Sequence, residues 1–118
     1  MTDRHLTITL QPDWQTALRA AGRRAGASRY QGEALNFESP GAFFGQLSER
    51  RWAIVRALQG AGELALRELA RRVERDVKRV HEDVEVLSTL GLVERTERGG
   101  VICPFVSVHI DMELRAAA

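Results

Sequence analysis

The sequence predicts an α+β protein, in which helices and short strands share one chain of 118 residues. Apolar residues recur at helical spacing in three consecutive segments between residues 48 and 90. Two short segments that read as strands follow at 92–96 and 101–103, and the glycines between them are typical of a β-hairpin. Apolar and polar residues also alternate at 6–10 and 105–114, which indicates strands near both ends of the chain.

Three helices followed by a hairpin are the layout of a winged helix-turn-helix, which places one helix in the DNA major groove with a hairpin beside it. We therefore divide the chain into three segments. A strand–helix–strand leader covers residues 1–47, a winged helix-turn-helix domain covers 48–104, and a C-terminal strand with its tail covers 105–118. The leader and the C-terminal strand are the segments that we expect to contact a second copy or a partner protein.

The leader begins with a strand whose inner face comprises Leu6, Ile8 and Leu10. A helix is expected from Pro12 to about Gly26, followed by a loop and a second strand at 33–37. Ser39 is the expected N-cap of a short helix that starts at Pro40. The side chains that this short helix should bury are Phe43, Phe44 and Leu47.

Local signals mark the ends of the next three helices. Ser48 should cap the first of them, whereas Ala65 is a poor N-cap for the second and has no compensating neighbour in the sequence. Asp76 is placed to cap the third helix, and Gly91 should end it. The inner face of the third helix is expected to comprise Val77, Val80, Val84, Leu87 and Leu90.

Three runs of the predicted domain resemble a known family. They are Leu66-Arg-Glu-Leu-Ala-Arg-Arg-Val, Lys78-Arg-Val-His-Glu-Asp-Val-Glu-Val-Leu and Leu90-Gly-Leu-Val-Glu-Arg. These runs are similar to winged helix-turn-helix transcriptional regulators of the MarR/ArsR-like type. More narrowly, they resemble a group of short prokaryotic proteins predicted to bind DNA, in which a strand–helix–strand leader precedes the winged helix. The resemblance implies a cytoplasmic regulator of promoter DNA that often acts as a dimer.

The resemblance also implies which residues contact DNA. Lysine and arginine can donate to guanine O6 and N7 and to phosphate oxygens, and a helix N-terminus presents N–H groups to a phosphate. An arginine at a hairpin tip can reach the minor groove or the backbone. The candidates are Arg75, Lys78, Arg79 and His81 around the start of the third helix, and Arg98 in the hairpin.

Acidic residues near these candidates depart from the family pattern. Glu82 stands where basic residues often occur in the group, although a carboxylate can accept from cytosine N4. Glu97 reduces the positive charge of the hairpin tip beside Arg98. Asp83 is expected to pair with Arg79 or with a neighbouring helix, since an anion facing phosphate is unfavourable.

The composition of the chain limits which other classes of protein it could belong to. The net charge is only +1, so any attraction for nucleic acid must be local. A single cysteine, Cys103, excludes an internal disulfide, and we expect it to be a small buried residue of the hairpin. The three histidines show no ligand spacing, and we expect no metal or cofactor. No apolar run approaches the roughly 18 residues of a membrane span, and no secretory segment is visible at the N-terminus, so we expect a cytoplasmic protein without membrane contact.

These patterns favour a sequence-specific regulator that binds double-stranded DNA, most simply a homodimeric repressor. No nucleophile–base pair or phosphate loop indicates an enzyme, and no catalytic residue is assigned. The alternative is a protein-interaction component, the antitoxin of a toxin–antitoxin pair, whose outlying apolar strands add to the sheet of its toxin partner. Because such antitoxins often bind DNA as well, the two hypotheses overlap.

Overall fold

The structure is a computed structural model that describes residues 3–11, 32–114 and 116, and it confirms the predicted α+β class. The helix expected at 12–26 and the loop after it lie outside the described residues. The described elements, in chain order, are β1 (Arg4–Leu10), β2 (Glu33–Phe37), α1 (Pro40–Gln46), α2 (Glu49–Leu58), β3 (Leu64–Ala65), α3 (Leu66–Val73), α4 (Val77–Leu90), β4 (Glu94–Arg95), β5 (Gly100–Ile102) and β6 (Phe105–Asp111).

The chain divides into two compact units. One unit comprises Met1–Gly45 and Ser107–Ala118, and the other comprises Gln46–Val106. Among the described helices, none is both long enough and apolar enough to cross a membrane.

A three-stranded sheet in the order β2-β1-β6 forms the centre of the unit that contains the N-terminus. Strands β1 and β2 run parallel, with Ile8 opposite Leu35. Leu6 and Ile8 are buried as predicted, and the strand predicted near the C-terminus pairs with β1 as β6. At the end of β1, the Asn36 side chain accepts from the Gln11 amide at 2.8 Å and donates to the Gln11 carbonyl at 3.1 Å. These hydrogen bonds fix the register of the parallel pair.

Helix α1 begins as predicted but buries fewer aromatic rings. The Ala42 amide donates to Ser39 Oγ at 3.1 Å, which confirms the N-cap. Phe43 is buried and packs edge-on against Phe37, with 5.4 Å between ring centroids. The prediction that Phe44 is also buried is wrong, because 65% of this residue is exposed. Adjacent residues of a helix point about 100° apart, so a short helix on a sheet buries one of two neighbouring rings.

Helices α2, α3 and α4 pack against one another and enclose the core of the other unit. Ser48 caps α2 as predicted, since its Oγ accepts from the Arg51 amide at 3.4 Å. Val77, predicted to lie inside, is exposed because it is the first residue of α4 and extends beyond the helix–helix contact. The buried apolar residues of this unit are Leu47, Ile54, Val55, Leu58, Leu64, Leu69, Ala70, Val80, Val84, Leu87, Leu92, Val93, Val101 and Phe105.

A short strand compensates for the poor N-cap of α3. Ala65 makes no side-chain cap, but β3 pairs antiparallel with β5, with Leu64 opposite Val101 and Ala65 opposite Gly100. Ladder pairing holds Ala65 in an extended conformation, so the helix starts at the next residue without a capping side chain. Two residues are too few to show strand alternation, and for that reason the sequence did not predict β3.

The hairpin completes a second sheet in the order β3-β5-β4. Arg95 pairs with Val101 near its base, and the Thr96 amide donates to the Gly100 carbonyl at 3.0 Å. Gly99 has a φ of 84°, as expected of glycine at a hairpin tip. Gly91, with a φ of 89°, ends α4 as predicted.

Gly100 provides a test of this packing. A Cβ atom there would lie 2.6 Å from Glu63 Cγ, but Glu63 is exposed and its side chain can turn away, so Gly100→Ala should destabilise the protein by no more than about 1 kcal/mol in urea unfolding. Adding Glu63→Ala should restore most of that loss. Gly45→Ala is the matched control, because a Cβ at Gly45 meets nothing within 4 Å. An unfolding midpoint that Glu63→Ala does not restore would contradict this contact.

Candidate nucleic-acid interface

The turn between α3 and α4 sets the direction of α4. Glu74 adopts a left-handed conformation with a φ of 56°, although it is not glycine. The Arg75 amide donates to the Ala70 carbonyl at 3.0 Å, which closes the turn. The Asp76 carboxylate then accepts from the amides of Lys78 and Arg79 at 3.1 and 3.3 Å, so the predicted cap is confirmed. These two amides are consequently not available to a phosphate, so an anion contact at this helix end would depend mainly on side chains.

Lys78 and Arg79 occupy the first turn of α4 on its exposed side. Within the described part of the chain, neither side chain has a hydrogen-bond or ion-pair partner. Both positive charges are therefore unneutralised and accessible. Buried Val80 and Val84 hold the opposite side of the helix in the core, which fixes the direction of the two cations.

Arg75 has an internal partner instead. Its Nη1 lies 2.8 Å from Asp83 Oδ2, and only 18% of its side chain is exposed. Nη1 is shielded from water and is not aligned for a hydrogen bond, so this contact is electrostatic. We exclude Arg75 from the surface proposed below, and its contact with DNA stays a prediction that this placement does not favour.

Asp83 joins three parts of the unit. Besides Arg75, it accepts from Arg51 Nε of α2 at 3.0 Å, and Arg51 Nη1 donates to the Gln46 carbonyl at 2.7 Å. The expectation that Asp83 pairs with a neighbouring helix is confirmed, and the alternative partner Arg79 is not used. The Asp83 cluster, defined as Arg51, Arg75 and Asp83, thus ties α2 and the α3–α4 turn to α4.

Glu85 contacts His81, the remaining DNA-contact candidate of α4. Its Oε1 lies 3.3 Å from His81 Nε2, one helical turn earlier, and 3.2 Å from Arg95 Nη1 of β4. His81 keeps about half of its side chain exposed, so it still reaches solvent beside Lys78. Arg95 is the less accessible of the two partners.

The hairpin tip and α3 complete the charge distribution. Arg98 is exposed at the tip and has no partner among the described residues. On α3, Arg71 and Arg72 both donate to Glu68, at 2.5 and 2.8 Å, and these hydrogen bonds lower the pKa of Glu68 from 4.5 to about 2. Glu68 is therefore ionised at neutral pH and offsets part of their charge. The unneutralised cations of this region are Arg67, Lys78, Arg79 and Arg98.

Sequence spacing could find part of this arrangement. The pair His81–Glu85 is an i,i+4 contact of the kind that helix periodicity predicts. Arg51 lies 32 residues before Asp83, and Arg95 follows Glu85 by ten. Neither separation corresponds to a local pattern, so their partners were missed.

Cys103 is half-buried in the strand connection after β5. Burial raises the pKa of its thiol above the ordinary value, and Sγ lies 3.7 Å from the Phe105 carbonyl. Among the described residues, no group of three or more His, Cys, Asp or Glu side chains could hold a metal ion.

The raised pKa makes Cys103 a poor nucleophile. Because the thiolate is the reactive form, iodoacetamide at pH 7.5 should alkylate the folded protein at least about tenfold more slowly than the urea-unfolded protein. Mass spectrometry of timed samples measures both rates. Equal rates would show that the thiol is neither shielded nor shifted.

The described chain is an α+β protein whose longest helix presents unneutralised cations on its first turn. The family model HVO_A0114 matches residues 46–110, more than half of the chain, so the chain belongs to this family. The match includes α2 to β5 and every candidate residue named above. No curated protein and no solved structure matches the chain.

Proposed function

We propose that residues 48–104 form a winged helix-turn-helix and that the protein is a sequence-specific transcriptional regulator, of the type that the MarR/ArsR resemblance implies. The order of α2, α3, α4 and the hairpin supports the fold assignment. The tight turn at Glu74 and the pairing of β3 with the hairpin are further support, since both occur where that fold requires a turn and a small sheet.

The observation on which DNA binding rests is the exposed first turn of α4. Lys78 and Arg79 are cations without an internal partner, on a helix that the core holds rigidly from behind. The B-DNA major groove admits a helix of this kind, and lysine and arginine can meet both guanine edges and phosphates there. Arg98 in the hairpin then reaches the adjacent backbone or minor groove.

Few cations per copy imply that one copy binds weakly. Each phosphate that the protein neutralises contributes about 0.9 to the slope of log affinity against log salt concentration. Most non-specific affinity for DNA comes from such contacts. We therefore propose that the protein is a cytoplasmic homodimer and that each copy recognises one half-site of the DNA. The dimer would repress transcription by occupying a promoter. Light scattering after size-exclusion chromatography tests the dimer, and a monomer at micromolar concentration would contradict it.

Fluorescence anisotropy tests DNA binding itself. A duplex from the region upstream of the gene should bind at least about 10³-fold more tightly than a shuffled duplex of equal composition. Selection from a random duplex library should yield a two-fold symmetric motif, with half-sites about 10 base pairs apart. Equal affinity for the upstream and shuffled duplexes, together with no motif from the library, would refute sequence-specific recognition.

A second function, that of an antitoxin, is favoured by β6. This strand lies at one edge of the described sheet, and its Val106 is 52% exposed, with Ile110 also exposed. An exposed apolar edge can add to the sheet of a partner such as a toxin. A small neighbouring gene whose product co-purifies from the native host would support this function. Co-purification that brings down no partner protein would remove its support.

A further inference from the structure

We infer that Glu85 and Arg95 are positioning residues, which hold the β4–β5 hairpin against α4 and thereby place Arg98. The inference rests on the proposed function for its effect on DNA affinity, but the placement can be measured without DNA. It concerns contacts within the single unit Gln46–Val106.

The guanidinium group of Arg95 contacts one side chain of α4 and two carbonyl groups of the hairpin. Arg95 Nη1 lies 3.2 Å from Glu85 Oε1 on α4, while Nε and Nη2 donate to the carbonyls of Gly100 and Gly99 at 3.4 and 3.3 Å. The guanidinium is planar, and its donors point in fixed directions. Because the same rigid group contacts the helix and both tip carbonyls, a shift of the tip relative to α4 breaks at least one of these contacts.

The other contacts of the hairpin tip lie within the hairpin and with β3. Thr96 exchanges hydrogen bonds with Gly99 and Gly100, and Gly100 pairs with Ala65. Strand β4 has two residues, and its described pairs with β5 are Glu94–Ile102 and Arg95–Val101. Buried Val101 anchors the base, whereas residues 97–99 are exposed. Hairpins this short are at best marginally stable by themselves. The Arg95–Glu85 contact joins this hairpin to α4, and it therefore sets where Arg98 lies relative to that helix.

Two roles for Glu85, positioning of the hairpin and neutralisation of nearby positive charge, predict opposite effects of its removal on DNA binding. If Glu85 only neutralised His81 and Arg95, removing it would expose positive charge and raise DNA affinity. If it positions the hairpin, removing it makes the contribution of Arg98 disappear. Glu85→Gln keeps an oxygen that can accept from Arg95, so this variant should preserve the position while losing the charge.

A double-mutant cycle on the selected duplex separates these roles. Arg98→Ala should weaken binding about tenfold in the wild-type background. In the Glu85→Ala background the same substitution should cost less than about twofold, and in Glu85→Gln it should again cost about tenfold. Glu82→Ala is the control background, because it removes an exposed carboxylate of α4 that has no partner in the described chain. A tenfold loss in all four backgrounds would overturn the inference.

The arm without DNA uses ¹⁵N relaxation of the amides at 96–100. Glu85→Ala should lower their order parameters from about 0.85 towards about 0.6, while Glu85→Gln and Glu82→Ala leave them unchanged. Unchanged order parameters in Glu85→Ala would overturn the inference, whatever the DNA result. If the wild-type protein binds no duplex, the proposed function fails, and this arm alone decides whether Glu85 positions the hairpin.

Discussion

Replacing Lys78 and Arg79 together by alanine is expected to weaken binding to the selected duplex by about 10²- to 10³-fold. Both cations are exposed and unneutralised on the first turn of α4, where the proposed groove contact begins. The salt dependence should change as well. If both residues contact phosphates, the slope of log Kd against log salt concentration should fall by about 2 per protomer. Anisotropy titrations at salt concentrations from about 50 to about 300 mM measure both the affinity and the salt slope.

The matched control removes equal charge elsewhere. Arg50 and Arg56 are exposed on α2, so Arg50→Ala with Arg56→Ala should leave the salt slope within about 0.5 of the wild-type value. Circular dichroism should show that both double variants remain folded, since none of the four side chains is buried. An equal loss in the two double variants would mean that net charge attracts the DNA and that α4 does not recognise it.

Asp83→Ala is expected to cause the largest loss of stability, about 2–4 kcal/mol in urea unfolding. The substitution leaves Arg51 and Arg75 without their shared carboxylate in a site where the side chains are 22% and 18% exposed. Breaking a fully buried pair costs about 3–5 kcal/mol, and the residual exposure of this cluster reduces that figure. The connection between α2 and the α3–α4 turn is lost at the same time.

An exposed carboxylate provides the comparison. Glu49 pairs with Arg56 at 2.6 Å on the surface of α2, so Glu49→Ala should cost no more than about 1 kcal/mol. Asp83→Asn should fall between the two, because it keeps an acceptor oxygen but loses the charge. If Asp83→Ala were as mild as Glu49→Ala, the Asp83 cluster would be a surface interaction with no structural role.

Short-range signals explain why much of the fold could be predicted from the sequence. Ser48 and Asp76 cap the helices that follow them, and Gly91 ends α4 in the left-handed conformation. Each depends on a side chain and a backbone group within three or four residues, which a sequence pattern records directly. The strands at 6–10 and 33–37 were predictable for the same reason, because alternation is local.

Tertiary contacts explain what the sequence missed. The strand β3 exists because β5 pairs with it, and Phe44 is exposed because Phe43 already occupies the buried position. At the candidate interface, Arg75 looked equivalent to Lys78 and Arg79 by residue type, but it is part of the Asp83 cluster, whereas the other two are exposed. The difference comes from Asp83, eight positions later in sequence and reached only when the turn folds back.

Titration of ¹⁵N-labelled protein with the selected duplex tests DNA recognition by α4 most directly. We expect the largest amide shift changes at residues 77–82 of α4 and 96–99 of the hairpin, because these segments present the unneutralised cations. Strands β1, β2 and β6 should change little. Shift changes confined to those three strands, with α4 unaffected, would contradict DNA recognition by this helix.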